Sequence, residues 1–207
     1  MKKYSKFIVL LIMLAILLAG CNAGNEIPTL VVEDYNGIDI DSINRYEIEV
    51  DLNTERKTYS ANQKVTYVNN TGIELDEIYF HLYPNAYKEL ETAPILFHED
   101  IMSRGYVPGY IEIEEIKVNG VDAEYAVQGK GDTILRISFN EPLGENRKVI
   151  IELKYEGKLP LNIDRFGYGE NVYNFGNWYP VACVFDDTGW NLDPYYSLGD
   201  PFYSDIA

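Results

Sequence analysis

The chain has 207 residues, of which 46% are hydrophobic and 24% charged, and its formal net charge is −16. This composition is typical of a globular protein and excludes collagen, coiled coils and low-complexity disorder. The excess of 33 acidic over 17 basic residues argues against nucleic acid as a partner, because phosphate recognition needs a basic surface. Two cysteines and two histidines exclude a framework of several disulfides and argue against a complete His/Cys metal site.

The first 21 residues have the features of a bacterial export signal. Three early lysines precede the apolar run Phe7–Leu18, which is too short to span a bilayer comfortably. The run ends in Leu18-Ala19-Gly20-Cys21, which resembles a lipobox, where the cysteine receives a diacylglyceryl group. We therefore expect a signal peptide over residues 1–20, lipidation at Cys21, and anchoring to the cell membrane on its extracytoplasmic face. An ordinary signal peptide with a chance cysteine is the alternative.

The alternation of hydrophobic and polar residues predicts the fold class. Residues 21–42 show little periodicity and are expected to form a flexible tether. The period then becomes two, and it predicts about seven strands in the stretches 45–51, 65–67, 78–82, 111–118, 121–127, 133–139 and 148–155. Residues 53–62 are expected to form a polar turn, and a short helical turn is expected near 86–90. The pattern predicts an all-β, antiparallel sandwich or saddle-like sheet over residues 43–207, and its short loops favour a meander.

Two local signals concern the strand that begins near Ile111. Its alternation slips by one residue at Glu114-Glu115, which predicts a β-bulge, and Asn119-Gly120 predicts a tight hairpin turn. The carboxylates of Glu112, Glu114 and Glu115 are expected to lie on a solvated sheet face and not to form an acid/base pair.

The last 42 residues, 166–207, differ in composition from the rest of the chain. They contain twelve aromatic and six acidic residues but no Lys or Arg. We expect an irregular segment that packs on the core or on another domain, and the alternative is the wall of a ligand site. If the packing partner is another domain that is absent, a large apolar patch around Trp178, Tyr179, Trp190 and Tyr195 is expected to be exposed.

No complete catalytic or metal-binding motif occurs in the sequence. His98-Glu99 begins like the zinc motif H-E-x-x-H, but Met102 stands where the second imidazole is needed. His81 lies inside a predicted strand and is expected to be a surface or sheet-packed imidazole and not a metal ligand. Cys183 is expected to be a buried small hydrophobic residue. We assign no catalytic residue and no metal ligand to this chain.

Two parts of the sequence resemble a known family. The stretches Arg45–Asp51 and Val65–Thr71 resemble the opening of the N-terminal β domain of the alanyl-aminopeptidase-type zinc metallopeptidases, which are the gluzincins of peptidase family M-one. Phe175-Gly176-Asn177-Trp178-Tyr179-Pro180 and the later Phe185-Asp186-Asp187-Thr188-Gly189-Trp190 are similar to the segment that closes this domain in bacterial members. The resemblance extends over residues 43–207.

The resemblance implies a non-catalytic domain of an enzyme that removes N-terminal residues from peptides. In that family the zinc and the H-E-x-x-H and G-x-M-E-N motifs belong to a following thermolysin-like domain, and this chain contains neither motif. We therefore expect a chain truncated before its catalytic domain, whose partners are that missing domain and the N-terminus of a peptide substrate. The alternative is a free-standing β-sandwich lipoprotein that binds a peptide, a sugar or a partner protein through its aromatic end.

The resemblance also implies a substrate-binding position. Members of the family often hold the substrate's α-amino group with a Gln of this domain, and Asn177 stands at the corresponding place, followed by Trp178 and Tyr179. An amide oxygen accepts a hydrogen bond from an ammonium group, so the substitution keeps the chemistry and shortens the reach. The alternative is that Asn177 caps a turn.

Overall fold

A computed structural model describes residues 42–94 and 105–196. The expected signal peptide, Cys21, the tether up to residue 41, His98 and residues 197–207 lie outside the described residues. In chain order the strands are β1 (Arg45–Asn53), β2 (Thr58–Val68), β3 (Leu75–His81), β4 (Tyr110–Val118), β5 (Val121–Asp122), β6 (Tyr125–Gln128), β7 (Ile134–Leu143), β8 (Lys148–Lys158), β9 (Phe166–Tyr168), β10 (Tyr173–Phe175), β11 (Val181–Ala182), β12 (Phe185–Asp186) and β13 (Gly189–Trp190). Short 3₁₀ helices cover Tyr83–Tyr87 and Lys130–Asp132.

Two antiparallel sheets contain most of these strands. The first sheet has the order β1-β2-β8-β4-β5, and the second has the order β11-β3-β7-β6. Two small ribbons, β9-β10 and β12-β13, complete the described part of the chain. The all-β, antiparallel prediction is confirmed. The meander is wrong, because β8 lies between β2 and β4 and joins strands that are far apart in sequence.

The hydrophobic core lies between the two sheets. On β8, the side chains of Val149, Ile151, Leu153 and Tyr155 are buried, while the residues between them are exposed. Ile78 and Phe80 of β3 and Leu135 and Ile137 of β7 belong to the same buried cluster, which therefore draws on both sheets. The period of two in the sequence arises because successive side chains of a strand point to opposite faces.

The two local signals on β4 are confirmed. The pairing of β4 with β8 shifts between Ile113 and Glu115, so an extra residue is accommodated as a β-bulge and the hydrophobic side chains stay on the buried face. Asn119-Gly120 connects β4 to β5 with φ values of 52° and 80°. Positive φ at both central residues is the requirement of a type I′ turn, which Asn and Gly satisfy best.

Three expected boundaries are wrong. The polar turn expected over 53–62 is confined to the residues between β1 and β2, and β2 begins at Thr58. The single strand expected over 121–127 is divided into β5 and β6, which belong to different sheets. The helical turn occurs earlier than expected, at Tyr83–Tyr87, where Pro84 occupies its first turn.

The outer face of the first sheet carries the solvated carboxylates. Charges of opposite sign face each other across four neighbouring strands of this face. The row consists of Glu47 on β1, Lys64 on β2, Glu152 on β8 and Lys117 on β4. Lys154 also pairs with Glu114 at 2.8 Å. Opposite charges at facing positions stabilise a sheet modestly. The expectation of a solvated face is confirmed for Glu112, Glu114 and Glu115, all of which are exposed.

The aromatic C-terminal segment packs on the rest of the fold. Eight of its rings are half-buried against the core cluster: Tyr168, Tyr173, Phe175, Trp178, Tyr179, Phe185, Trp190 and Tyr195. The large exposed patch expected around Trp178, Tyr179, Trp190 and Tyr195 is therefore wrong. These rings find partners within their own domain, and of the described aromatic residues in the segment Tyr196 is the most exposed, at 53%.

Candidate functional site

The residues that the sequence analysis predicts to bind substrate lie on one short connection, residues 176–180, which we call the WYP segment. It leaves β10 and leads into β11, the edge strand of the second sheet. The Gly176 amide donates a hydrogen bond of 2.6 Å to the carbonyl oxygen of Arg165. A Cβ atom at Gly176 would lie 2.8 Å from that same oxygen, so the close approach requires glycine.

Asn177 occupies the turn of the WYP segment. Its φ of 52° is in the left-handed region, which Asn tolerates better than most residues. Its side-chain amide forms no hydrogen bond with another residue of the described ranges. This conformation is the one expected of a turn residue, and it leaves the amide oxygen able to accept a hydrogen bond from a ligand.

Trp178 and Tyr179 are held by aromatic contacts. The ring of Trp178 meets those of Tyr59, Phe175 and Tyr179 edge to face, with centroid distances of 5.4, 5.7 and 5.5 Å. Tyr179 in turn meets Tyr46 of β1 at 6.0 Å. Edge-to-face pairs of this kind add stability beyond the area that they bury. The rings of Trp178 and Tyr179 therefore pack on the inner side of the first sheet, and Asn177 directly precedes them in the chain.

The backbone of this region is fixed by four polar side chains of the first sheet, Tyr46, Tyr59, Gln63 and Tyr155, which we call the polar ladder. The Tyr59 hydroxyl donates to the carbonyl oxygen of Trp178 at 2.8 Å, and Gln63 Nε2 donates to that of Pro180 at 2.8 Å. The Ala182 amide donates to the Tyr46 hydroxyl at 3.1 Å. Tyr155 completes the ladder, since its hydroxyl donates to Gln63 Oε1 at 2.9 Å.

Burial keeps the phenol groups of the polar ladder protonated. It raises the pKa of the Tyr59 and Tyr155 hydroxyls above the ordinary value for tyrosine. The pKa of Tyr46 is also raised by burial, against the opposing effect of its hydrogen bond with Ala182. A buried phenolate would be costly, so these hydroxyls remain neutral at physiological pH and keep their hydrogen bonds.

Sequence reasoning missed the polar ladder. The polar turn expected over residues 53–62 includes Tyr59 and Ala61. In the structure these two residues belong to β2, and they form one core-facing row with Gln63, Val65 and Tyr67. The signal that could have found it is Gln63 itself. It is a polar residue at an inward position of a strand, and buried amides are retained where both of their ends are hydrogen-bonded.

The histidine and the cysteine in the described ranges are both buried. His81 is 2% exposed and stacks on Tyr83 with ring centroids 4.6 Å apart. Burial lowers its pKa to about 4, against a weaker opposing effect of Asp193. Cys183 is also 2% exposed, and burial raises the pKa of its thiol, so a reactive thiolate is disfavoured. The expectations for both residues are confirmed.

The described residues do not provide a zinc site. Within 42–94 and 105–196, no three side chains of His, Cys, Asp or Glu are grouped so that they could hold a metal ion. The imidazole of His81 is buried and stacks on Tyr83, and the described ranges contain no second histidine. These residues do not fit the coordination of zinc, which needs at least three protein ligands around one point.

No helix in the same ranges has the length and apolar character that a membrane crossing requires.

Solved structures of zinc metallopeptidases match part of this chain at low sequence identity. The M1 zinc metallopeptidase from Deinococcus radiodurans matches 69% of this chain over 25% of its own length, with 13% identity and a TM-score of 0.38. A mutant of that enzyme bound to a Tyr-Ser-Ala substrate matches 70% of this chain over 26% of its own, with 12% identity and a TM-score of 0.39. This chain thus spans about a quarter of the length of these proteins. No model of a protein family matches the chain, and no curated protein does.

Proposed function

We propose that this chain is the non-catalytic N-terminal β domain of a zinc metallo-aminopeptidase and that it contributes to holding the free N-terminus of a peptide substrate. The observation that carries the proposal is the WYP segment. Its sequence resembles the segment that closes this domain in bacterial aminopeptidases, and it is held on the core by hydrogen bonds from two sheet residues to its backbone.

The proposed role of the segment is recognition. Asn177 presents an amide whose oxygen is not used by any other described residue, and an ammonium group is a donor that fits it. Trp178 and Tyr179 follow Asn177 directly, and the edge-to-face contacts of Trp178 with Tyr59 and with Tyr179 hold the segment in place. Zinc and peptide hydrolysis belong, in this proposal, to a separate thermolysin-like domain, because the described residues do not form a metal site.

We further propose that the protein is a lipoprotein on the extracytoplasmic face of the cell membrane. The proposal rests on Lys2, Lys3 and Lys6, the apolar run Phe7–Leu18 and Cys21 in the order required for lipidation. Cys21→Ala is expected to release the protein from the membrane fraction or to leave it unprocessed, and to abolish incorporation of labelled lipid. Fractionation and labelling identical to those of the unmodified chain would contradict the lipid anchor.

The coding sequence after codon 207 tests the parent enzyme directly. We expect an H-E-x-x-H motif in frame or after a single frameshift. A stop codon followed by an unrelated gene would favour the free-standing lipoprotein. No observation on the described residues favours that alternative.

Peptide binding tests the recognition role. The purified full chain is titrated with the tripeptide Ala-Ala-Phe and with its N-acetylated form, and ¹⁵N NMR signals are followed. We expect only the free amine to shift the signals of Asn177 and Trp178. Equal shifts with both peptides, or no shift with either, would contradict the proposed site. The chain alone is expected to hydrolyse no aminoacyl-anilide and to bind no stoichiometric zinc.

A further inference from the structure

Gln63 is a buried amide in an otherwise hydrophobic environment. It lies near the middle of β2, opposite Ile48 of β1 and Leu153 of β8, and it is 2% exposed. A buried amide is destabilising unless its donor and acceptor are both satisfied. Here both ends are hydrogen-bonded, so the group is tolerated and its orientation has structural consequences.

Both ends of the Gln63 amide have a hydrogen-bond partner, and one of these partners sets its orientation. Pro180 offers a carbonyl oxygen, which only accepts, so the NH₂ end must face it. The Tyr155 hydroxyl donates to the opposite end, at Oε1. A phenol hydroxyl can donate or accept, so the Pro180 carbonyl selects the orientation of the amide, and Tyr155 satisfies Oε1 in that orientation.

The polar ladder forms hydrogen bonds with every second residue of the backbone that enters β11. The ladder contacts are made with Trp178, Pro180 and Ala182 in turn, from side chains that all lie on the first sheet. These contacts replace the backbone partner that a neighbouring strand would supply. Asn177 is adjacent to the first of them, so the position of its amide depends on the ladder.

We propose that Gln63, hydrogen-bonded to both Pro180 and Tyr155, is a positioning residue for recognition of a free N-terminal amine at Asn177. The inference rests on the proposed function of the WYP segment. It predicts that ligand affinity depends on a hydrogen bond from residue 63 to Pro180, although residue 63 is buried in the core and does not contact the ligand.

A glutamic acid at position 63 makes the hydrogen bond switchable. In Gln63→Glu, the neutral carboxylic acid donates its O–H to the Pro180 oxygen and accepts from Tyr155 through its carbonyl oxygen, which reproduces both bonds. The ionised carboxylate has no donor for Pro180. Burial raises the pKa of a carboxyl group at this position above its ordinary value, so lowering the pH restores the missing bond.

The experiment uses the full chain with ¹⁵N-labelled tryptophan. The chain has two tryptophans, so two indole signals are expected, and Trp190→Phe assigns them. Affinity for Ala-Ala-Phe and the chemical shift of the Trp178 indole are measured at pH 5 and pH 7, where the peptide amine stays protonated. The variants are Gln63→Glu, Gln63→Leu and, as the matched surface control, Gln128→Leu at an exposed position of β6. Each variant is compared with the unmodified chain at the same pH.

We expect Gln63→Leu to bind at least fivefold more weakly at both pH values and to shift the Trp178 signal. Gln63→Glu is expected to behave like Gln63→Leu at pH 7 and to come within about twofold of the unmodified chain at pH 5, the recovery being the signature of the restored donor. Gln128→Leu is expected to change neither quantity. Unaltered affinity in Gln63→Leu, or no recovery of Gln63→Glu at pH 5, would overturn the positioning role alone. Failure of the unmodified chain to bind Ala-Ala-Phe would overturn the proposed function as well.

Discussion

The hydroxyl group of Tyr59 donates a hydrogen bond of 2.8 Å to the carbonyl oxygen of Trp178, and the two rings meet edge to face at 5.4 Å. The two residues are 119 positions apart in the sequence. One side chain of β2 thus fixes both the backbone and the ring of the WYP segment. The ring of Tyr59 also contacts Tyr155, Phe166 and Phe175, so Tyr59 links the sheet core to the β9-β10 ribbon.

Tyr59→Phe removes the hydrogen bond to Trp178 and keeps the ring contacts. We expect the free energy of unfolding to fall by about 1–2 kcal/mol, because the buried hydroxyl is lost and the Trp178 carbonyl keeps no partner from residue 59. Urea denaturation followed by circular dichroism measures the loss. Tyr125→Phe is the control, since that hydroxyl is exposed and its contact with Ile113 is long, at 3.4 Å. An equal loss in the two variants would contradict this account.

Gly157→Ala tests the packing of Tyr59 on β8. Gly157 is directly opposite Tyr59, and a Cβ atom there would lie 2.1 Å from Cζ of its ring. Since neither the buried ring nor the central strand can move freely, we expect destabilisation of about 3 kcal/mol. At Gly144 the nearest atom to an added Cβ is Arg147 Cγ at 3.5 Å, an ordinary contact. Gly144→Ala should therefore change the unfolding free energy by less than about 1 kcal/mol, and similar losses at the two positions would refute the close approach.

His81 should make the stability of the domain depend on pH. Its pKa is about 4 in the folded state and about 6.5 when unfolded, so between these values the unfolded chain binds more protons. The stabilising contribution is complete above pH 6.5 and is lost as the pH falls towards 4, where the loss reaches about 3 kcal/mol.

His81→Phe isolates this contribution, because it keeps a ring against Tyr83 and removes the titrating group. Urea denaturation of both proteins is compared between pH 4 and pH 8. Carboxylates titrate in both proteins, so their effect cancels in the difference. We expect the stability of the unmodified chain relative to His81→Phe to fall by about 3 kcal/mol from pH 7 to pH 4. A difference that does not vary with pH would show that His81 is not buried in its neutral form.

Asn177→Gly separates recognition from turn formation. Glycine adopts a φ of 52° without strain, so the backbone is kept while the amide is removed. We expect the unfolding free energy to change by less than about 0.5 kcal/mol. Affinity for Ala-Ala-Phe should fall about tenfold, as expected for loss of a hydrogen bond to a charged group. Asn177→Asp, which retains an acceptor and adds a negative charge, should bind at least as well as Asn177. Unchanged affinity in Asn177→Gly, measured by calorimetry, would leave Asn177 as a turn residue only.

The sequence predicts Asn177, Trp178 and Tyr179 as a binding position because they stand in a recognisable block, and this role stays a prediction. What the structure adds is the set of side chains that support this block. The polar ladder had no such signature. Its four members come from three strands, β1, β2 and β8, and their hydrogen bonds span 92 to 136 residues.

Local patterns alone were sufficient for features whose causes are local. The bulge at Glu114-Glu115 and the turn at Asn119-Gly120 follow from the phase of alternation and from the backbone freedom of Asn and Gly. The buried and exposed faces of β8 follow from the same alternation. The pattern that predicts each of these features lies within one strand or one turn, although the bulge itself forms where β4 pairs with the distant β8.

Only the tertiary structure decided which strands are neighbours and which aromatic rings are covered. β8 is hydrogen-bonded between β2 and β4, which are far from it in sequence, and alternation within a strand carries no information about its partners. Likewise, the composition of residues 166–207 did not distinguish an exposed aromatic patch from a packed one. The contacts of Trp178 with Tyr59 and of Tyr179 with Tyr46 decided this, because burial depends on the side chains that meet in space and not on those that are adjacent in sequence.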